Sequence, residues 1–281
     1  TADPRVKGVA FTGSTETARA INRALAGRDG PIAPLIAETG GQNAMIVDSS
    51  ALTEQVVADV LASAFQSTGQ RCSALRVLFL QEDVAERVLD MLAGAMDELS
   101  IGDPGLLSTD LGPVIDGAAL AALEAHSRRM EREARLIHAL PAPLDADGWF
   151  FPPQAWEIDA LDALDREVFG PVLHVVRFPA GRIDQVIDAV NATGYGLTLG
   201  IHSRIDATIR HIRERARVGN LYVNRSMIGA VVGTQPFGGE GLSGTGPKAG
   251  GPRYLTRFAT ERTVSVNTAA AGGNASLLSL E

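Results

Sequence analysis

Short β-branched apolar runs alternate along the chain with longer stretches whose apolar positions recur every three to four residues. That pattern predicts a parallel sheet covered by helices. Strands are expected over 6–11, 35–38, 43–47, 75–80, 172–178, 199–203 and 221–224. Helices are expected over 16–26, 52–66, 84–99, 118–139, 183–192 and 205–215. In the second helix Val56, Val57, Val60, Leu61, Ala64 and Phe65 share one face. Residues 141–153 are rich in Pro and Gly. Residues 228–252 are mostly Gly, Pro, Ser and Thr and read as a long functional loop. Residues 263–267 alternate and predict a last strand, followed by a small, polar tail.

Composition narrows the picture. The chain has 281 residues, enough for one large domain or two smaller ones, with 45% hydrophobic and 21% charged residues, the balance of a globular protein. The formal net charge is −8. The densest basic segment, 127–135, is interleaved with Glu131 and Glu133 and reads as a solvated helix face, which argues against a nucleic-acid partner. No apolar run nears the ~20 residues that span a bilayer, and no signal peptide is visible. With 1 Cys no intrachain disulfide can form, so a reducing compartment is expected. The chain opens at Thr1 without an initiator Met, as a fragment would.

Candidate chemistry sits in four places. Cys72, in Gly-Gln-Arg-Cys-Ser, admits two readings: a reactive thiol activated by the adjoining Arg71 cation, or an inert buried cysteine. Glu38, between an apolar run and two glycines, is a poised general base if partly buried and an ordinary loop acid if not. Gly13 and Ser14 end a strand and open a helix, where backbone N–H groups favour phosphate; no G-x-G-x-x-G fingerprint accompanies them. Glu167 and Phe169 share one face if the segment is extended, suiting a ribose and a nicotinamide ring, or else mark a structural turn. The five histidines are scattered, so neither a metal site nor a Cys–His hydrolase is indicated.

Together and in order, five motifs resemble the aldehyde dehydrogenase superfamily over nearly the whole chain. They are Phe-Thr-Gly-Ser-Thr (11–15), Glu-Thr-Gly-Gly-Gln-Asn (38–43), Gly-Gln-Arg-Cys-Ser (69–73), Glu-Val-Phe-Gly-Pro-Val (167–172) and Pro-Phe-Gly-Gly (236–239). Residues 229–251 and 259–267 are most similar to the glutamate-semialdehyde dehydrogenase module of bifunctional bacterial proline-utilisation flavoproteins. The resemblance implies an α/β aldehyde dehydrogenase fold with Rossmann-like sheets. It implies 1–37 as the end of an NAD-binding domain, 38–257 as a catalytic domain whose loop 228–252 anchors substrate, and 258–281 as a strand and tail for homo-oligomer or interdomain contact.

It also implies roles. Cys72 is the nucleophile, its backbone N–H stabilises the oxyanion, and Glu38 activates water. Gly13 and Ser14 meet the NAD pyrophosphate, Glu167 the nicotinamide ribose, and Phe169 the nicotinamide. Arg71, Ser73 and the N–H groups of Gly229 and Ala230 hold the substrate carboxylate, and Phe237 packs on its aliphatic part. The family places an oxyanion-hole Asn and an adenosine-binding Lys ahead of the first motif, where only five residues stand before Val6. NAD+ binding and turnover by this chain alone are therefore expected to be poor. FAD belongs to a proline dehydrogenase module that the chain lacks. The implied location is cytoplasmic, at the inner-membrane periphery for the parent protein. An aldehyde dehydrogenase of other specificity and a non-catalytic assembly domain are the competing readings.

Overall fold

The computed structural model describes residues 1–141, 147–231, 233–267 and 270. The middle of the 141–153 stretch, Val232 of the 228–252 stretch, and most of the tail after 267 lie outside them. The chain forms β1 (Val9–Thr12), α1 (Thr15–Ala26), β2 (Leu35–Glu38), β3 (Ala44–Val47), α2 (Thr53–Phe65), β4 (Val77–Gln81) and α3 (Glu82–Asp97). It continues with α4 (Gly117–Glu133), β5 (Arg135–Ala139), β6 (Gln154–Glu157), β7 (Val172–Phe178), α5 (Ile183–Ala192) and β8 (Tyr195–Gly196). Last come β9 (Thr198–His202), α6 (Asp206–Arg215), β10 (Asn220–Val223) and β11 (Glu240–Gly241).

The expected α/β architecture is present. A seven-stranded sheet runs β10-β9-β3-β4-β7-β6-β5, parallel except at β5. Ala44-Met45-Ile46-Val47 and Val77-Leu78-Phe79-Leu80 are buried on both faces, which explains their unbroken apolar runs. Alternation then sorts them into two cores. Ala44, Ile46, Val77 and Phe79 pack with Leu123 and Met130 of α4, Val186 and Ile187 of α5, and Ile212 of α6. Met45, Val47, Leu78 and Leu80 pack with Val56 and Val60 of α2 and with Val88, Leu89, Leu92 and Met96 of α3. A separate two-stranded parallel pair, β1-β2, carries α1.

Three expectations need correction. The helix expected over 118–139 stops at Glu133; Ala134 turns extended (φ −139, ψ 166) and β5 follows. That strand exists because it finds an antiparallel partner in β6, a long-range pairing that overrides local propensity. Residues 263–267 carry no strand among the described residues. Val264 and Val266 are exposed, and a strand needs a neighbour's hydrogen bonds. The loop 228–252 is less irregular than its composition suggests. Glu240 and Gly241 pair with Gly196 and Tyr195, and 239–245 zips onto the free edge of β2: Thr39 N–H donates to Ser243 O at 2.9 Å and Thr245 N–H to Ala37 O at 2.9 Å.

Strand direction positions the site. Thr12 and Glu38 are the carboxyl-terminal residues of β1 and β2. The segments carrying Cys72, Phe169 and Tyr195 lead into the amino ends of β4, β7 and β9. The carboxyl ends of the small sheet thus meet the amino ends of the large one, and the site lies at that seam.

Candidate active site

A cleft of about 1080 Å³ opens at the seam. Its walls bring together Gly13, Ser14, Glu38, Cys72, Glu167, Phe169 and Phe237, residues drawn from five separate segments. Arg71, Ser73, Gly229 and Ala230 are not among its described lining residues.

Cys72 sits on a turn that α2 cannot continue into. Ser67, Thr68 and Gly69 all adopt left-handed backbone (φ 56, 55 and 63). A Cβ on Gly69 would lie 2.2 Å from Gly170 O, so only glycine lets the Cys72 turn close onto the 167–171 segment. Asn43 fixes the turn from below: its Nδ2 donates to Cys72 O at 2.6 Å and to Ala74 O at 2.9 Å. Ser73 is buried beneath the turn.

The expected cation is misassigned. Arg71 is exposed, and its Nε donates to Ser67 Oγ at 2.9 Å, turning it along its own loop toward solvent. Burial and the Glu167 charge push the Cys72 thiol above the usual range. The backbone N–H groups of Ser73 and Cys72, and then Arg76, oppose the rise without cancelling it.

Arg76, which the sequence reading passed over, is 1% exposed. Its guanidinium donates to Gly69 O at 2.6 Å, Arg71 O at 3.0 Å, Gly170 O at 3.3 Å and Glu167 Oε1 at 3.0 Å. It also lies 5.1 Å from the Phe169 ring centroid. A guanidinium has five N–H donors in a fixed fork, which suits one buried cation to four acceptors. One side chain therefore ties the Cys72 turn to the Glu167–Phe169 wall. A second unforeseen contact supports it. His174 Nδ1 lies 3.1 Å from Arg76 O, and its Nε2 lies 2.8 Å from His126 Nε2. The carbonyl must accept, so His174 carries its proton on Nδ1 and accepts from His126 Nε2–H. Burial pushes both rings down, His174 to about 3 and His126 to about 4, so both are neutral near pH 7.

Glu38 is 7% exposed. Its Oε2 accepts from Gly239 N–H at 3.1 Å, while Oε1 is buried with no hydrogen-bond partner among the described residues. Burial raises its pKa to about 7, against the Gly239 N–H and the Lys248 charge. The acid is thus poised near neutrality, as proton abstraction requires.

The residues present fit a dinucleotide at its nicotinamide end. Phe169 is 45% exposed and its ring faces open cleft. Gly40 leaves room for the opposing acid, because a Cβ there would stand 1.7 Å from Glu167 Oε2. At the other end Ser14 caps α1, accepting from Thr17 N–H at 3.2 Å. The Glu16 carboxylate turns back onto its own N–H, so a phosphate there would displace it. Gly229 is exposed with φ +74, directly after the buried Met227 and Ile228. Among the described residues no group of His, Cys, Asp and Glu is arranged to hold a metal, and no helix is long and apolar enough to cross a membrane.

Comparison with known proteins agrees with this geometry. The aldehyde dehydrogenase family model matches residues 1–264. The chain is 59% identical over 271 residues to the bifunctional protein PutA of Klebsiella aerogenes, a match covering 93% of this chain and 21% of that protein. It superposes with TM-score 0.92 and 63% identity on the crystal structure of a bifunctional proline utilization A protein, covering 96% of this chain and 28% of that one. On 1-pyrroline-5-carboxylate dehydrogenase from Thermus with bound NAD it has TM-score 0.84 and 34% identity, covering 92% of this chain and 50% of that one. The chain therefore spans about a fifth of the first relative's length and half of the last.

Proposed function

The chain belongs to the aldehyde dehydrogenase family, and from that premise we propose that it carries the catalytic part of an NAD-dependent L-glutamate γ-semialdehyde dehydrogenase. The observation carrying the reading is Glu38 and Cys72 facing one cleft, the acid buried with one free oxygen. Similarity to proteins named 1-pyrroline-5-carboxylate dehydrogenase supports the substrate.

In this reading the Cys72 thiolate adds to the aldehyde carbon, and the carbonyl π pair moves to oxygen, held by the Cys72 N–H. Ser14, Glu167 and Phe169 would hold NAD+, which when bound would supply the acceptor for the hydride leaving that carbon, and the acyl group stays on Cys72 as a thioester. Glu38 then takes a proton from water as its oxygen adds to the thioester carbon. The C–S bond breaks, the thiolate returns, and glutamate leaves. Ser73, Gly229 and Ala230 anchor the substrate's α-carboxylate, and Phe237 packs on its aliphatic part. Residues 1–37 supply the end of the cofactor-binding region, and the exposed 263–267 segment serves subunit contact.

The test assays NADH formation from L-glutamate γ-semialdehyde by this chain, alone and grafted in place of the matching segment of the Klebsiella aerogenes protein. The graft is expected to turn over, Cys72→Ala to abolish activity, and Glu38→Gln to leave a Cys72 thioester visible by intact mass. An active graft indifferent to Cys72→Ala would refute the mechanism. Equal use of uncharged aldehydes would refute the substrate, and a folded but inactive graft would point to an assembly role.

A further inference from the structure

The Glu38 carboxylate is held by one backbone donor, Gly239 N–H, at 3.1 Å. That donor lies in a segment with no regular structure of its own, so something must fix it. The neighbouring N–H, that of Gly238, donates to Asn220 Oδ1 at 3.3 Å. Asn220 Nδ2 donates in turn to Pro236 O at 3.1 Å. The same Oδ1 accepts from Lys248 Nζ at 3.2 Å, and Lys248 also donates to Gly219 O. On the other side Phe237 and Ala249 exchange two backbone bonds of 2.9 and 2.8 Å. Residues 236–239 are thus gripped by the first residue of β10 and by a cation that reaches back from the far arm of the same loop.

We propose that Asn220 and Lys248 form a clasp that positions the Glu38 carboxylate, Asn220 by aiming the 238–239 amides and Lys248 by supplying the charge that favours its ionised form. The proposal rests on reading Glu38 as the base and gives that site two positioning residues outside its motifs. Lys248 and Glu38 act on each other: the Lys248 charge favours the carboxylate, and the carboxylate opposes the fall that burial imposes on the lysine. The other titratable groups around the cleft are Glu16, Cys72, His126, Arg129, Asp165, Arg166, Glu167 and Tyr195, and the charge acting on Glu38 is that of Lys248.

The experiment titrates Glu38 in the 281-residue chain by carboxyl carbon NMR, its resonance identified by its loss in Glu38→Gln. Lys248→Met is expected to raise the midpoint by roughly half a pH unit, as one charge at moderate range would. Lys248→Arg, which keeps the charge, should leave it in place. Asn220→Ala should raise it by releasing the Gly239 amide. An unmoved midpoint in Lys248→Met, or an equal rise in Lys248→Arg, overturns the proposal; Lys248→Gln replaces the methionine variant if that one does not fold. Hydrolysis of p-nitrophenyl acetate separates this from the underlying reading. A Cys72-dependent burst without Glu38-dependent turnover removes Glu38 as base, while the titration still decides the clasp.

Discussion

Glu38→Gln should make the protein more stable as well as inactive. The buried carboxyl has its pKa raised from 4.5 to about 7, so between those values the folded state binds more protons than the unfolded one. Stability then falls as pH rises through that window, and above pH 7 the folded protein carries the full penalty of a buried charge. At about 1.4 kcal/mol per pH unit the rise corresponds to an upper value of roughly 3 kcal/mol. Glutamine has the same shape, keeps an oxygen for the Gly239 N–H and carries no charge. Urea unfolding of wild type and Glu38→Gln should agree near pH 4.5. It should diverge to about 2–3 kcal/mol in favour of the variant at pH 8. A difference that stays constant with pH, or that favours the wild type at pH 8, would show that burial of this charge is not what tunes the acid.

Other consequences are open to measurement. Alkylation of Cys72 by iodoacetamide should reach half its maximal rate above the pH of an ordinary thiol, because burial and Glu167 oppose the thiolate. Glu167→Gln should move that midpoint down, and a profile unchanged by Glu167→Gln would remove the charge as a cause. Arg76→Met should cost about 3–5 kcal/mol in urea unfolding, the usual penalty for leaving one member of a buried pair alone; a loss below about 1 kcal/mol would mean that its carbonyl partners find other donors. Gly69→Ala should cost at least about 2 kcal/mol from its left-handed backbone and the clash with Gly170 O, and a neutral result by thermal melting would contradict the close approach.

The elements built from local pattern were legible: the β3 and β4 runs and the amphipathic α3 and α5 stand within two residues of expectation. The failures share a cause. β5 exists through its pairing with β6, and β6 through its pairing with β5 and β7, one following a good helix and the other following prolines, so neither shows in its own window. The windows around Cys72 and Glu38 left each open to a bland reading, and both stood out only through motifs that resemble a family in order and spacing. Arg76 sits between Leu75 and Val77 and reads as a stray charge in a strand. Its acceptors come from 69, 71, 167 and 170, and no local pattern announces that convergence. Arg71, adjacent to Cys72 in sequence, invited the role that Arg76 fills. Asn220 and Lys248 were equally invisible, because their meaning lies in a loop folding back on itself.

The guanidinium of Arg76 has a consequence for traffic through the site. A hinge needs a place where few bonds must break, and between the Cys72 turn and the Glu167–Phe169 wall there is none. Opening that side would strip a buried cation of two acceptors at once, Gly69 O and Arg71 O on one wall or Glu167 and Gly170 O on the other. The two walls must travel as one body. Movement that admits a ligand is left to the other walls of the cleft, which the Arg76 guanidinium does not bridge.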